Sequence, residues 1–157
     1  MKVILITSVL VSPWLVIAQG DSAVRTVQKT TFLRIEESAY LAEERQYTLS
    51  GDSLIIKDLS WGATDTLYKK TLTSIERDWL LAPFDKKQLS SIRDKYWASS
   101  TNSHEWTYHI VLYKGESLRV TTIYKEKVSF FYTFAQRLNQ MVPKSYQLHY
   151  NEEYFKQ

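Results

Sequence analysis

Residues 105–125 read EWTYHIVLYKGESLRVTTIYK, and no other stretch of the chain predicts strands as clearly. Apolar and polar side chains alternate on both sides of Gly115, a pattern typical of two strands joined by a tight turn. A three-residue loop over 113–115, with Gly115 in the left-handed conformation, would place Tyr108 opposite Val120. The apolar side chains that we then expect on one buried face are Trp106, Tyr108, Ile110, Leu118 and Val120.

The opposite face of this hairpin carries a mixture of polar and apolar side chains. In the predicted register its members are His109, Val111, Tyr113, Arg119, Thr121 and Ile123. Such a surface can meet a partner or be covered by another element of the fold. We therefore take Tyr113, His109 and Arg119 from it as candidate ligand-binding residues.

A further hairpin is predicted over residues 46–57, where two alternating runs flank Ser50-Gly51-Asp52-Ser53. Glycine at the first central position suits a type II′ turn. The cross-strand pairs that follow from this turn, all expected to face the core, are Leu49 with Leu54 and Tyr47 with Ile56.

Three helices are predicted between and after the hairpins. Thr73 and Glu76 have the spacing of a capping box, which starts a helix that Pro83 should end. Apolar residues recur at helical spacing over 86–96, and again over 129–142.

The order of these elements predicts an α+β fold. Strand-like composition also marks 24–35, 66–72 and 145–150, and a short helix or an irregular connection is expected over 39–45. This order gives an antiparallel sheet built from hairpins, with helices packed on one face, and it suggests two related ββα halves. Because no segment rich in proline, glycine or serine separates the halves, we expect one domain.

The first 20 residues have the anatomy of a signal peptide. Lys2 gives a positive start, residues 3–17 are almost wholly apolar, and small residues follow at Ala18 and Gly20. We expect cleavage after Ala18 or Gly20, which leaves 21–157 as the folded domain. Since the apolar run is shorter than the ~20 residues of a spanning helix, we expect an exported protein, periplasmic or extracellular, with no membrane span after signal removal.

Composition excludes several functions. The chain contains no cysteine, so a disulfide, a thiolate metal ligand and a lipid attached through cysteine are all ruled out. The formal charge of +3 falls to +2 when Lys2 is removed, and basic residues are interleaved with acidic ones, so we expect no nucleic-acid partner. Aromatic residues make up 14% of the chain, which favours a sheet-rich fold.

Four short segments carry a resemblance to known domains: 72–76 (LTSIE), 92–96 (IRDKY), 123–124 (IY) and 138–143 (LNQMVP). In their layout, which covers roughly half of the chain, they resemble small exported domains of unknown function from Gram-negative bacteria. The resemblance implies export and an α+β fold. It transfers no catalytic residue to this sequence.

The polar residues form no specific catalytic or metal-binding signature. His104 and His109 are an odd number of residues apart in a predicted strand, so they lie on opposite faces and cannot share one ion. Glu36-Glu37 and Glu43-Glu44 offer paired carboxylates, but adjacent carboxylates in polar stretches are typical of a solvated surface. No glycine-rich phosphate loop and no G-x-S-x-G turn occur. We therefore assign no catalytic residue, no metal site and no cofactor.

Tyrosines are the most suggestive side chains for binding, since exposed rings with polar tips can anchor a protein or a sugar. Tyr113, Tyr150 and Tyr154 are the best candidates. These observations favour an exported, non-enzymatic binding module of the bacterial envelope, with a protein or glycan partner. The alternatives are a small exported hydrolase with a dispersed active site, and a stress or assembly factor with a purely structural role. The ligand and the oligomeric state stay open.

Overall fold

The computed structural model describes residues 29–39, 44–62, 64–98 and 106–155. The expected signal peptide over 1–20 and the residue His104 lie outside this part of the chain, as do residues 40–43 of the predicted connection.

Strands and two helices make up the fold. The strands are β1 (Thr30–Ser38), β2 (Glu44–Ser50), β3 (Ser53–Asp58), β4 (Thr66–Thr71), β5 (Lys95–Trp97), β6 (Thr107–Lys114) and β7 (Ser117–Tyr124), and the helices are α1 (Ser74–Asp85) and α2 (Ser129–Met141). The strands form one seven-stranded sheet in the order β4-β3-β2-β1-β6-β7-β5, antiparallel except for the parallel pair β5 and β7. Both helices pack on one face of the sheet. The predicted α+β fold is confirmed, whereas the relation between two halves stays a prediction.

The hairpin of β2 and β3 has the predicted register. Leu49 pairs with Leu54 and Tyr47 pairs with Ile56, and all four side chains are buried. Gly51 has a φ of 54°, whereas the φ of Asp52 is not positive, which is the combination of a type II′ turn. The turn residue therefore sets the register here, as expected from the sequence.

The hairpin of β6 and β7 is present, but its predicted register is wrong. Lys114 pairs with Ser117, so the turn contains only two residues. Tyr108 consequently faces Ile123 rather than Val120, a shift of three positions along β7. Because this shift is odd, it exchanges the two faces of β7.

Burial follows the observed register. Ile123 and Thr121 are buried, while Leu118 and Val120 are exposed. The ring of Tyr108, opposite Ile123, packs 5.4 Å from that of Phe131 in α2. The prediction for β6 is confirmed, since Tyr108 and Ile110 are buried, but the prediction for β7 is wrong because the two-residue turn places Ile123, and not Leu118 and Val120, on the covered face.

Helix α1 begins at the predicted capping box. The Thr73 hydroxyl accepts a hydrogen bond from the Glu76 amide at 3.2 Å, and the Glu76 carboxylate accepts one from the Thr73 amide at 2.8 Å. The prediction that Pro83 ends this helix is wrong, because Pro83 lies inside it. Proline cannot donate to the carbonyl four residues earlier, that of Trp79, and Arg137 of α2 donates to that carbonyl instead.

The helix predicted over 86–96 does not form. A 3₁₀ turn at Leu89–Ser91 is followed by β5, whose backbone pairs with the edge of β7. Ile92 and Tyr96 are buried. Their apolar side chains therefore mark contacts with the core, although their spacing does not mark a helix. The strand predicted over 145–150 is also wrong, because a 3₁₀ turn at Lys144–Tyr146 leads into an irregular segment.

Other boundaries differ less. Helix α2 confirms the prediction over 129–142, and β4 confirms the strand over 66–72. Glu44 and Arg45 belong to β2 and not to the connection predicted over 39–45.

The irregular segment after α2 closes the core at one end of the covered face. Tyr150 is fully buried, with its ring 5.0 Å from that of Tyr108 and 4.6 Å from that of Phe131. Its hydroxyl donates to the Glu126 carbonyl at 2.6 Å and accepts from the Val128 amide at 2.7 Å. The segment is thus held in place by both packing and hydrogen bonds.

Candidate functional site

The side of the sheet that faces away from both helices forms an open surface, which we call the outer face. Its side chains on β1, β6 and β7 are Phe32, Arg34, Glu36, His109, Val111, Tyr113, Leu118, Val120, Thr122 and Tyr124. Two of them are aliphatic and strongly exposed, Leu118 at 51% and Val120 at 50%. Single exposed apolar side chains are common on protein surfaces, whereas contiguous apolar patches often mark interaction sites.

The apolar members of the outer face form a continuous patch, the outer-face patch, made of Phe32, Val111, Tyr113, Leu118 and Val120. Val111 lies directly opposite Val120, and Tyr113 lies opposite Leu118. The Phe32 ring meets the Tyr113 ring edge to face, with centroids 5.8 Å apart. The patch therefore extends without a break across three neighbouring strands.

Polar contacts border the patch on its β1 and β2 side and on its β5 side. The Arg34 guanidinium lies 3.3 Å from the Glu36 carboxylate, which also accepts a hydrogen bond from Gln46 at 3.1 Å. His109 Nδ1 and the Thr122 hydroxyl are 3.1 Å apart. At the β5 edge the exposed Trp97 stacks on Tyr124, with centroids 4.3 Å apart.

Positive charge predominates among the strand residues of this face. Its cations are Arg34, Lys57, Lys69 and Lys95, and its carboxylates are Glu36 and Glu44. Since Arg34 and Glu36 pair with each other, the remaining charge is mainly that of lysines. The outer face as a whole therefore favours acidic groups on a partner that covers it.

The five predicted binding residues fall into three places. Tyr113 and His109 lie together on the outer face, as expected. Arg119 does not, because it lies opposite the buried Leu112 on the helix side. There its guanidinium donates to the Ile92 carbonyl and lies 3.0 Å from the Asp94 carboxylate. The prediction for the face of Arg119 is therefore wrong, for the same reason as the register of its hairpin.

Tyr150 and Tyr154 lie in the segment after α2. The Tyr150 hydroxyl has backbone partners on both sides, and burial raises its pKa well above the ordinary value. The Tyr154 hydroxyl donates to the Trp106 carbonyl and accepts from the Lys125 amide, each at 3.0 Å. Both tyrosines join distant backbone segments, and Tyr154 also borders a concave surface.

That concave surface is a half-open pocket of about 120 Å³. Its lining residues are Trp106, His149, Asn151, Glu153 and Tyr154. The indole of Trp106 and the imidazole of His149 are stacked nearly parallel, with centroids 4.0 Å apart. One wall of the pocket is therefore a rigid pair of stacked rings.

A buried carboxylate lies behind this wall. Glu37 is fully buried, and it accepts hydrogen bonds from the His149 amide at 2.7 Å and from the Tyr47 hydroxyl at 3.1 Å. His149 Nδ1 lies 3.3 Å from the same carboxylate. Burial first, and the charge of Glu37 second, raise the pKa of both Tyr47 and Tyr108 above the ordinary value. Both tyrosines therefore stay protonated beside the carboxylate.

The sequence analysis missed the contact between Glu37 and His149, which are 112 positions apart. One signal was present: Glu37 continues the alternation of Leu33 and Ile35, and this places it on the buried face of β1. A carboxylate in a buried position needs partners. The sequence does not reveal that the partner amide comes from the irregular segment after α2.

Comparisons with known proteins add no assignment to this geometry. No protein-family model matches the chain, and no curated protein matches its sequence. Within the described ranges, three or more histidine or acidic side chains nowhere converge as a metal site would require. In the same ranges no helix has the length and hydrophobicity needed to span a membrane.

Proposed function

We propose that the protein is an exported, non-enzymatic binding module of the bacterial envelope, and that its outer face holds a protein partner. The observation that carries the proposal is the exposure of Leu118 and Val120, 51% and 50%, within a continuous apolar patch. Neither side chain contributes to the core. A partner that covered them would remove this apolar area from water, which is the main favourable term in protein association.

The shape and composition of the outer-face patch favour a protein over a glycan. Sugar sites typically combine a ring platform with convergent polar groups in a concave surface. Here the centre is a flat row of aliphatic side chains, Val111, Val120 and Leu118, on a regular sheet. Such a surface complements aliphatic or aromatic side chains of another protein.

The charge of the outer face favours one kind of protein partner over others. The lysines of the outer face, Lys57, Lys69 and Lys95, outnumber its carboxylates Glu36 and Glu44. Lys95 lies on β5, next to the patch, whereas Lys57 and Lys69 lie farther away on β3 and β4. A partner with an apolar centre and an acidic border would match both features. Its affinity should fall as ionic strength rises, because exposed charges are screened at a Debye length of ~10 Å in 0.1 M salt.

The experiment places a photo-crosslinking amino acid at position 120 of the full chain in its source bacterium, and at position 75 as a control. Ile75 is 81% exposed on α1, on the helical side of the molecule. We expect a protein adduct from position 120 only. The purified partner should then bind a Leu118→Glu/Val120→Glu variant at least about 30-fold more weakly than wild type, and an Ile75→Glu variant as well as wild type.

Two results would contradict the proposal. Equal adducts from positions 75 and 120 would show that the outer face is not selective. An adduct that contains glycan and no protein would move the function to glycan binding.

Export is the other half of the proposal and rests on residues 1–20. When the full gene is expressed in a Gram-negative host, the exported chain should begin at Gln19 or Asp21. Intact-mass measurement decides this. Exported protein that retains Met1 would contradict cleavage.

A small hydrolase is the second candidate function, favoured by the contact between Glu37 and His149. A buried carboxylate 3.3 Å from an imidazole nitrogen at a pocket resembles the arrangement of a general base, which can take a proton from water. The described lining offers no free hydroxyl nucleophile, since the Tyr154 hydroxyl already has two partners. Turnover of p-nitrophenyl esters that is lost in His149→Ala, but kept in His109→Ala, would favour this candidate over binding.

A further inference from the structure

Trp61 lies between β3 and β4 and is almost completely exposed, at 93%. Tryptophan has the largest apolar surface of any side chain, and it is normally well buried even when it is not fully buried. The packing of the described residues gives no reason for an indole at this position.

The backbone at Trp61 is strained as well. Its φ is 57° and its ψ is 27°, which is the left-handed region. Residues with a side chain rarely adopt this region, and bulky ones especially so. Gly62 follows with a φ of 78°, so two consecutive residues have positive φ. A glycine or an asparagine at position 61 would adopt the same path more readily.

Hydrogen bonds hold residues 58–60 and Asp65 on either side of Trp61. The Asp58 carboxylate accepts from the Ser60 amide at 2.8 Å, and the Ser60 hydroxyl accepts from the Glu44 amide at 2.9 Å. The Leu59 amide donates to the Glu44 carbonyl at 2.8 Å, and the Asp58 amide donates to the Asp65 carbonyl at 2.9 Å. Hydrogen bonds from Ser60 also hold the pKa of Asp58 below its usual range. The indole is therefore presented on a braced support.

Strained backbone that the surrounding structure over-determines is concentrated at functional sites. A tryptophan with a fixed presentation loses little conformational freedom when it binds, which favours affinity. Tryptophan is also the residue type most enriched among the side chains that dominate binding energy. Exposure, strain and bracing thus point to the same role.

We infer that Trp61 is an anchor that inserts into an apolar pocket of a protein whose surface around that pocket is basic. At the base of the loop the acidic residues Glu44, Asp58 and Asp65 outnumber the basic residues Arg45 and Lys57, although Arg45 lies opposite Asp58. The acidic residues would be repelled by an anionic phospholipid surface and attracted by basic groups, which favours a protein over a membrane. The inference does not depend on the outer-face patch, which contains neither Trp61 nor its neighbours.

The first test is thermal stability. Trp61→Asn should raise the melting temperature by about 2–4 °C, because asparagine tolerates the left-handed region and the indole makes no compensating contact. Ile75→Asn, which changes an equally exposed apolar residue inside a helix, should not raise it. A melting temperature that is unchanged or lower in Trp61→Asn would overturn the argument from strain.

The second test is contact. A photo-crosslinking residue at position 61 should give a protein adduct that position 75 does not give. The purified adduct partner should bind Trp61→Asn at least about 30-fold more weakly than wild type, and should bind Leu118→Glu/Val120→Glu unchanged if the two surfaces are separate.

The third test addresses the membrane. Vesicles of phosphatidylethanolamine and phosphatidylglycerol are mixed with mature protein, and tryptophan fluorescence is recorded for wild type and Trp61→Asn. We expect no shift in emission. A blue shift with wild type that Trp61→Asn lacks would replace the protein partner by a lipid surface, and an equal crosslinking yield at positions 61 and 75 would remove the anchor altogether.

Discussion

The two faces of this sheet carry apolar side chains for different reasons. Under the helices, Tyr108, Ile110 and Ile123 are fully buried and pack against side chains that come from distant parts of the chain. On the outer face, Leu118 and Val120 keep about half of their surface in water. The fold requires the first group, whereas it gains little from the second. An apolar residue on a strand is therefore informative about function only once its face is known.

The polar side chains of the two faces differ in the same way. Glu37, on the covered face, has partners at fixed positions, including an amide at 2.7 Å. Its neighbour Glu36, on the outer face, is partly exposed and pairs with Arg34 at 3.3 Å. Water can replace the partners of Glu36 but not those of Glu37. Adjacent residues of one type thus have different energetic roles.

The largest effect should come from truncating an apolar side chain on the covered face. Ile110→Ala should lower the free energy of unfolding by about 3 kcal/mol, because it leaves a cavity in a packed core. Val120→Ala, on the outer face, should change it by less than ~0.5 kcal/mol. Urea unfolding of both variants measures the difference. Comparable losses would mean that the outer face is packed against something.

The neighbouring glutamates provide the next test. Glu37→Ala should cost about 2–3 kcal/mol of unfolding free energy, because it leaves the His149 amide without its acceptor and the Tyr47 hydroxyl with only the Gln147 carbonyl at 3.4 Å. Glu36→Ala should cost less than ~1 kcal/mol, the usual range for exposed ion pairs. Both values can be read from denaturant titrations. If Glu36→Ala were the more damaging change, the assignment of faces on β1 would be wrong.

A smaller effect is expected at the turn that sets the faces of β7. Gly115 has a φ of 56°, and no other atom lies within 4 Å of the position that a Cβ would take. Gly115→Ala should therefore cost about 1 kcal/mol, from backbone strain alone. Gly51→Ala is the matched variant, since its φ is 54° and its surroundings are equally open. Thermal denaturation should show similar losses, and a stabilising Gly115→Ala would contradict the turn geometry.

The smallest effect is expected at the capping box of α1, one of the two helices that cover one face of the sheet. Hydrogen bonds from Lys70 and then from Thr73 lower the pKa of Glu76 to about 2. Because the folded pKa lies below the unfolded value, the stabilisation is present above about pH 4.5 and is lost as the pH falls towards 2. Glu76→Gln should therefore lose less stability than wild type between pH 5 and pH 2.

Acid titrations of unfolding free energy measure this slope. Glu116→Gln, in the exposed turn between β6 and β7, serves as the control and should follow wild type. A Glu76→Gln profile that coincides with the wild-type profile would show that the cap adds nothing to the attachment of α1.

The candidate site was only partly predictable. The faces of Tyr113 and His109 were predicted correctly, because alternation along β6 is regular and its large apolar side chains mark the buried side. Arg119 was placed on the wrong face, because Leu118 and Val120 resemble core residues by composition. No local pattern reports whether a helix covers a given strand position. The pocket formed by Trp106 and His149 was not predictable either, since it depends on where an irregular segment crosses the sheet.

What the sequence by itself determined is local. A glycine at the first central position set the turn of the β2–β3 hairpin, the Thr73–Glu76 spacing started α1, and a 3.6-residue period marked α2. Tertiary structure decided which face of β7 is buried, that residues 95–97 pair with a strand edge, and that Glu37 meets His149. The physical reason is that hydrogen bonds within turns and helices join residues close in sequence, whereas burial depends on elements that arrive from far along the chain.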